Sequence, residues 1–310
     1  MTTNASSTLL RRIMRHRHLL IALALFILAA YMRLAYLGLA EFNTDEAGNM
    51  LYARDALSQQ GLPLLGRPSG QLNTPTPPHS TYVYMLIAQW TFDPLIFTGV
   101  IAFVNAIGVA LLYLLAVRMT SPVAALIGTA WYAVDFYAVL FSRKIWEPEL
   151  VAPVFILGML AGWLGFYEGR RWGQLLALPL FVLTVMIHLS AAPLLIVVPF
   201  LLWTGRENLY WRSLVIGAVV SGLLVLPFAL GLYVGDVPTG GPNTLDQFYT
   251  SARPLRLLAD VALGLDHHLR IAPGRTLQML EALVSLRPLW AVGGGALLLL
   301  GVLGLWRIGR

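Results

Sequence analysis

Residues 19–47 read LLIALALFILAAYMRLAYLGLAEFNTDEA, and this stretch decides the class of fold. Its first part is uncharged as far as Met32 and stays largely apolar to Leu39. A run of this length is typical of a helix that crosses a membrane. Two adjacent carboxylates, Asp45 and Glu46, follow where the apolar segment gives way to a polar loop. Charges at such a boundary call for an explanation.

The composition of the 310-residue chain supports the same class. Hydrophobic residues make up 58% and charged residues 12% of it, whereas soluble domains carry about 25% charged residues. Mean hydropathy is +0.72, and apolar surface on this scale needs lipid as its solvent. The net charge of +6 does not indicate a nucleic-acid partner, because the arginines flank apolar runs as the positive-inside rule expects. We therefore predict an all-α polytopic integral membrane protein.

The N-terminal segment predicts the orientation. Residues 1–18 are polar and then basic, so we expect them in the cytoplasm, with residues 19–310 forming the membrane-embedded domain. A cleavable signal peptide ending at Gly38-Leu39-Ala40 is the alternative, although Arg33 interrupts the run before that site. The carboxylates after the first span are then expected on the extracytoplasmic side of the plasma (inner) membrane.

The rest of the chain brings the predicted number of spans to about eight. Tyr82–Phe92 is too short for a span, and we interpret it as an interfacial helix; if it crosses, every later loop changes side. The preferred interpretation gives three external loops, at 40–96, 142–149 and 234–288, and leaves most later arginines inside. The later spans are expected at Phe97–Val117, Val123–Phe141, Leu150–Tyr167, Leu175–Ile187, Leu189–Trp203, Trp211–Tyr233 and Trp290–Trp306.

The large first external loop is expected to begin with a short interfacial helix that carries the two carboxylates. Thr44 or Asp45 can cap this helix, which ends near Gly61. One interpretation of Asp45 and Glu46 is therefore a helix cap and a first-turn carboxylate that faces the helix dipole. The other is catalytic: a general base deprotonates an acceptor hydroxyl, and its neighbour binds acceptor or metal. Both can hold, because a capped helix end would fix the carboxylate in one orientation.

A second candidate segment is Ser142–Glu149, SRKIWEPE, in the next external loop. Arg143 and Lys144 can hold a phosphate, the arginine in a bidentate way and the lysine as a point charge. Glu147 and Glu149 can orient the arginine or bind sugar hydroxyls. The alternative is an interfacial loop that is merely charged.

Two histidines complete the set of candidate binding residues. His188 interrupts the paired apolar segments between 175 and 203, and an ionisable residue within a membrane segment is a functional candidate. A neutral histidine hydrogen-bonded to a neighbouring backbone is the alternative. His79, after Pro77-Pro78, can contact a lipid head group or form a structural turn. The sequence has no glycine-rich phosphate loop of the nucleotide-binding types.

The order of these features resembles the membrane-embedded GT-C glycosyltransferases, in the branch of the protein O-mannosyltransferases and the lipid A aminoarabinose transferase. The resemblance covers residues 10–235, and members of that family are commonly longer than this chain. It rests on Phe42-x-x-Asp45-Glu46-Ala47, Ala53-x-x-Ala56-Leu57, Gly61, Pro77-Pro78-His79, Tyr82-x-Tyr84 and Arg143-x-x-x-Glu147-Pro148-Glu149.

The resemblance implies transfer of a sugar from a polyprenyl phosphate to a protein, glycan or lipid acceptor. Inverting transfer of this kind needs a carboxylate base opposite a stabilised phosphate leaving group. No cofactor is required, and a divalent metal at Asp45, Glu147 and Glu149 is left open. The implied roles are Asp45 as base with Glu46 beside it, Arg143 and His188 near the donor phosphate, and Glu147 or Glu149 as the second acidic position.

Two other classes of function are alternatives. A transporter or flippase of lipid-linked glycans would place charges along a path through the membrane. Most charges here gather at the predicted membrane faces, with Asp135 the exception, and this favours chemistry at the surface. A non-catalytic fragment of a larger transferase is the second alternative, and it rests on the short length.

Overall fold

The fold is given by a computed structural model, which describes residues 3–59, 61–68 and 75–234. Within these residues every regular element is a helix and no strand occurs, which confirms the all-α prediction for this part of the chain. They belong to one compact unit, Met1–Pro238. The predicted span 290–306 and nearly all of the predicted loop 234–288 lie outside the described residues.

The α-helices vary widely in length. Short 3₁₀ segments occur at Leu37–Leu39, Glu147–Leu150, Leu189–Ile196 and Arg206–Asn208, and a π-helical turn at Trp163–Tyr167 extends the seventh helix. In chain order the α-helices are α1 (Thr3–Leu34), α2 (Thr44–Ser58), α3 (His79–Ala88), α4 (Pro94–Met119), α5 (Pro122–Val134), α6 (Phe136–Phe141), α7 (Val151–Gly162), α8 (Arg171–Ile187), α9 (Val197–Thr204) and α10 (Trp211–Val234).

Four helical stretches in the described part are long and apolar enough to cross a membrane. They are Arg17–Leu34, Pro94–Met119, Glu147–Tyr167 and Trp211–Val234. Each matches one of the predicted spans to within a few residues, and the result is compatible with an integral membrane protein. Three further apolar stretches are shorter: Pro122–Val134, Arg171–Ile187 and Leu189–Thr204.

The predicted span Val123–Phe141 is not one continuous helix. It breaks at Asp135, whose backbone leaves the helical conformation and whose carboxylate accepts a hydrogen bond from the amide of Ala138 at 2.8 Å. The buried guanidinium of Arg33 donates to the carbonyl of Ala133 at 2.8 Å, near the end of α5. The break is therefore stabilised by groups that satisfy the freed backbone at both helix ends.

Two other predictions about continuity agree with the structure. Helix α3 has ten residues and is about 15 Å long, which is too short to cross a membrane. The apolar pair between 175 and 203 is interrupted at His188, where the backbone becomes extended and α8 ends. The 3₁₀ segment and α9 then follow in place of a single helix.

Long-range contacts define two ends of the bundle. At one end Lys144 forms an ion pair with Glu41 at 2.8 Å, and Leu65 packs against Gly231 near the end of α10. At the other end Arg118 forms an ion pair with Glu168 at 3.1 Å. We call the first the Asp45 end (residues 41–68, 75–88 and 142–150) and the second the Glu168 end (residues 118–122, 163–174 and 204–212).

Candidate active site

The N-terminus of α2 is fixed by a capping box. The side chain of Asn43 accepts a hydrogen bond from the amide of Asp45 at 2.9 Å, and the carboxylate of Glu46 accepts one from the amide of Asn43 at 3.1 Å. The predicted cap, Thr44 or Asp45, is therefore wrong by one or two residues. Because the side chain of Asn43 already accepts the hydrogen bond from the amide of Asp45, the carboxylate of Asp45 takes no part in the cap.

The two adjacent carboxylates have different surroundings. The side chain of Asp45 is 59% exposed, whereas Glu46 is only 2% exposed. Successive helical residues project about 100° apart, so one carboxylate faces out from the bundle end while the next enters the core. A general base must reach its substrate. Of the two residues predicted as catalytic, only Asp45 presents an accessible carboxylate.

Arg67, which no sequence motif marks, lies beside Asp45. One terminal nitrogen of its guanidinium is 3.3 Å from the carboxylate of Asp45, and the other donates to the carbonyl of Asp45 at 3.1 Å. The second nitrogen also donates to the side-chain oxygen of Asn49 at 3.3 Å. No motif marks Arg67 because it lies in the Pro/Gly-rich passage, far from the rest of the site in sequence.

Asn49 joins this helix to the segment 142–149. Its side-chain nitrogen donates to the carbonyl of Ile145 at 2.9 Å. Ile145 itself is fully buried in an apolar cluster that contains Met50, Tyr84 and Ile187. The two external loops predicted to share a face are thus packed together, through one polar bridge and one apolar cluster.

The carboxylates of the second segment lie near the same place. Glu147 interacts electrostatically with Arg67 and Asp45 and with the side chain of Asn49. Glu149 interacts with Lys144, and its carbonyl accepts a hydrogen bond from Asn105 of α4 at 2.9 Å. The structure therefore brings Asp45 and Glu147 into one electrostatic neighbourhood.

Tyr84 lies beneath these acidic residues. Its hydroxyl is buried without a hydrogen-bond partner. Burial first, and then the negative charges of Glu147, Glu149 and Glu46, raise the pKa of Tyr84 well above its ordinary value. The phenol is consequently held neutral and keeps an unused hydrogen-bond donor near acidic residues.

No family model matches this chain, and neither a curated protein nor a solved structure was found to match it.

The two cations of the second segment are both engaged with the protein. Arg143 donates a hydrogen bond to the carbonyl of Met32 in α1, while its Nε is buried without a partner. Burial lowers the pKa of Arg143. The ammonium of Lys144 forms an ion pair with Glu41 and lies 5.7 Å from the ring centroid of Phe141. Of the two, Arg143 retains a donor without a partner.

The two predicted histidines are both at or near the Asp45 end, in different settings. His79 is buried at the start of α3, where its ring interacts with the backbone of Leu224 in α10 and its Nδ1 has no partner. Burial lowers the pKa of His79. This setting suits a residue that docks α3 on α10, not one exposed to a head group. His188 is half-buried, and the neighbouring Ile187 packs in the same cluster as Ile145.

The question of a divalent metal was left open by the sequence. Among residues 3–59, 61–68 and 75–234 there is no group of three or more histidine, aspartate or glutamate side chains placed to hold an ion. The described residues here offer an exposed carboxylate, the adjacent guanidinium of Arg67 and a buried phenol.

Proposed function

We propose that this chain is a GT-C-like glycosyltransferase, which moves a sugar from a polyprenyl phosphate to an acceptor hydroxyl at the extracytoplasmic membrane face. The observation that carries the proposal is the exposed carboxylate of Asp45 on a capped helix end, 3.3 Å from the guanidinium of Arg67. That helix is locked onto the segment bearing Arg143, Glu147 and Glu149. Base and cations therefore share one end of the bundle.

The chemistry assigned to this end is an inverting displacement. Asp45 takes the proton of the acceptor hydroxyl, and the hydroxyl oxygen bonds to the anomeric carbon of the sugar. The bond from that carbon to the phosphate oxygen breaks, and the phosphate leaves with the electron pair. Arg143 stabilises the growing phosphate charge, because a guanidinium can donate two parallel hydrogen bonds to it. The prenyl chain stays in the lipid throughout.

The proposed topology has about eight spans, with the N-terminus in the cytoplasm of a cell whose plasma (inner) membrane holds the chain. The spans are the four long helices, the broken helix α5–α6, α8, residues 189–204 and residues 290–306.

Cysteine labelling tests this topology. The chain has no cysteine of its own, so a thiol introduced by Trp146→Cys, at an exposed site, is the only one that can react. An impermeant thiol reagent should label it from outside and should label Glu207→Cys only after lysis; the reverse pattern contradicts the topology.

The proposed base is tested by Asp45→Asn in a sugar-transfer assay with a polyprenyl-phosphate sugar. A general base contributes about 10²- to 10⁴-fold to rate, and a loss of that size is expected. Asp55→Asn is the matched control, because Asp55 is an exposed carboxylate on the same helix α2. Full transfer by Asp45→Asn, or an equal loss in both variants, would contradict the assignment.

The helix break at Asp135 favours a second candidate function, a flippase of lipid-linked glycans. Broken helices with charges at the break are a feature of transporters, and Asp135 interacts electrostatically with the buried Arg33. An assay with the purified chain in liposomes that contain a fluorescent lipid-linked sugar distinguishes the flippase from the transferase. Movement of the lipid between leaflets that is lost in Asp135→Asn but kept in Asp45→Asn would favour the flippase.

A further inference from the structure

Arg67 has a geometry that singles it out within the Asp45 end. Its guanidinium contacts three groups at once: the carboxylate of Asp45, the carbonyl of Asp45 and the side-chain oxygen of Asn49, at 3.3, 3.1 and 3.3 Å. The planar fork of an arginine can satisfy several acceptors in fixed directions, which a lysine cannot. The contacts fix both the backbone and the side chain of Asp45.

The same guanidinium also sets the orientation of the amide of Asn49. Because Arg67 donates to the oxygen of that amide, its nitrogen must face the other way, where it donates to the carbonyl of Ile145 at 2.9 Å. The chain of contacts thus runs from Asp45 through Arg67 and Asn49 to the second segment. Glu147 lies within the electrostatic range of Arg67.

Gly48 provides the space in which this guanidinium lies. A Cβ atom at position 48 would come within 2.6 Å of Cζ and 2.7 Å of one terminal nitrogen of Arg67. Such an approach forces the guanidinium to move, since real Cβ atoms do not tolerate it. A glycine inside the first turns of α2 otherwise weakens the helix relative to alanine.

The backbone of Arg67 is held without help from its own guanidinium. Thr76 donates from its hydroxyl to the carbonyl of Arg67 at 2.8 Å, and the amide of Gly66 donates to the carbonyl of Thr76 at 2.8 Å. Nearby, the hydroxyls of Tyr52 and Tyr82 bind the carbonyls of Leu65 and Pro63. Shortening the side chain of Arg67 therefore leaves the loop in place.

We infer that Arg67 is a positioning residue, which holds the carboxylate of Asp45 in one orientation and couples it to the segment 142–149. The inference rests on the proposed function for its effect on catalysis. A displaced general base lowers the rate of the chemical step more than it lowers donor binding. Arg67 is expected to act through Asp45, with the donor phosphate left to Arg143.

The catalytic arm of the test compares Arg67→Gln, Gly48→Ala and the control Arg54→Gln. The control removes an exposed arginine from α2, the helix that carries Asp45 and Gly48. Arg67→Gln should lower kcat about 100-fold while the donor KM stays within about threefold. Gly48→Ala keeps Arg67 and favours the helical conformation of α2. It should nevertheless lower kcat, because the added Cβ displaces the guanidinium of Arg67 from the carboxylate of Asp45. Normal kcat in Arg67→Gln, or equal losses in Arg54→Gln, would overturn the inference.

A second experiment tests whether Arg67 lies beside position 45 by measuring the rate of thiol labelling, which requires no enzymatic activity. In the cysteine-free chain, Asp45→Cys places one thiol at the site, and a neighbouring guanidinium favours the thiolate and attracts anionic reagents. Adding Arg67→Gln should slow labelling by an anionic thiol reagent about tenfold, whereas adding Arg54→Gln should not. Equal rates would overturn the placement of Arg67. A wild-type chain that transfers no sugar while the thiol rates differ would contradict the proposed function alone.

Discussion

The two ends of the bundle treat buried polar groups in opposite ways. At the Glu168 end, Gln174 is fully buried and every one of its side-chain atoms that can bond is used. Its amide nitrogen donates to the carbonyls of Gly165 and Asn208, and its oxygen accepts from the amide of Tyr210 at 2.8 Å. Asn208 in turn donates to the carbonyl of Phe166 at 2.9 Å. This end is a closed polar network.

The Asp45 end leaves buried polar atoms without partners. Five such side-chain atoms occur among the described residues, and four lie at or next to this end: Arg33 Nε, His79 Nδ1, Tyr84 Oη and Arg143 Nε. A buried polar group without a partner costs about 1–3 kcal/mol. Buried polar groups are normally hydrogen-bonded, so each exception at the Asp45 end needs an explanation, and the proposed function offers one: a site that substrate completes. Both ends are polar, but the buried side-chain atoms of Gln174 have partners at the Glu168 end, whereas unpartnered ones gather at the Asp45 end.

The largest expected effect on stability is at the Glu168 end. Gln174→Leu leaves the amide of Tyr210 and two carbonyls without partners, so the free energy of unfolding should fall by about 3 kcal/mol. Thermal unfolding in detergent measures this, with Gln89→Leu at an exposed position as the control. The kcat of the protein that remains folded should be unchanged. A stable Gln174→Leu variant with reduced kcat would reverse the roles given to the two ends.

A smaller effect separates the two adjacent carboxylates. Glu46→Ala removes the acceptor for the amide of Asn43 and should lower the free energy of unfolding by about 1–2 kcal/mol. Asp45→Asn should change it by less than about 0.5 kcal/mol, because an exposed side chain contributes little. Chemical denaturation of both variants checks the contrast. Equal destabilisation would mean that Asp45 is structural and that both ends of the bundle use their polar groups for folding.

The smallest expected effect is a pH dependence carried by His79. Burial lowers its pKa below the ordinary value of 6.5 in the folded chain, so the unfolded chain binds the proton more readily. The stabilisation is present above pH 6.5 and is lost as the pH falls through the lowered pKa. The decrease in Tm between pH 7.5 and 5 should be greater in the wild type than in His79→Gln. An identical decrease would show that protonation of His79 does not loosen this end.

Much of the fold followed from the sequence, because a membrane span is specified by composition and length. The four long helices and the interruption at His188 could be predicted in this way. The break at Asp135 could not, since it is stabilised in part by Arg33, a residue one hundred positions before Ala133 that binds the carbonyl of Ala133. An average of hydropathy along the sequence cannot detect a contact between two residues as distant as Arg33 and Ala133.

The site was predicted less completely, for a similar reason. Adjacent carboxylates were visible in the sequence, but only the helix geometry directs Asp45 outward and Glu46 into the core. Arg67 went unnoticed because its role comes from three contacts made across the loop. Local patterns identify residue types at a boundary, whereas long-range packing decides which of them meet.

The most direct test of the account is photo-crosslinking with a polyprenyl-phosphate sugar analogue that carries its reactive group near the phosphate. Mapping the adducts by mass spectrometry assigns the donor to one end of the bundle. We predict adducts in residues 41–67 and 142–150, at the Asp45 end, and weaker labelling in Arg143→Gln. Adducts confined to residues 163–174 or 204–212, at the Glu168 end, would contradict it.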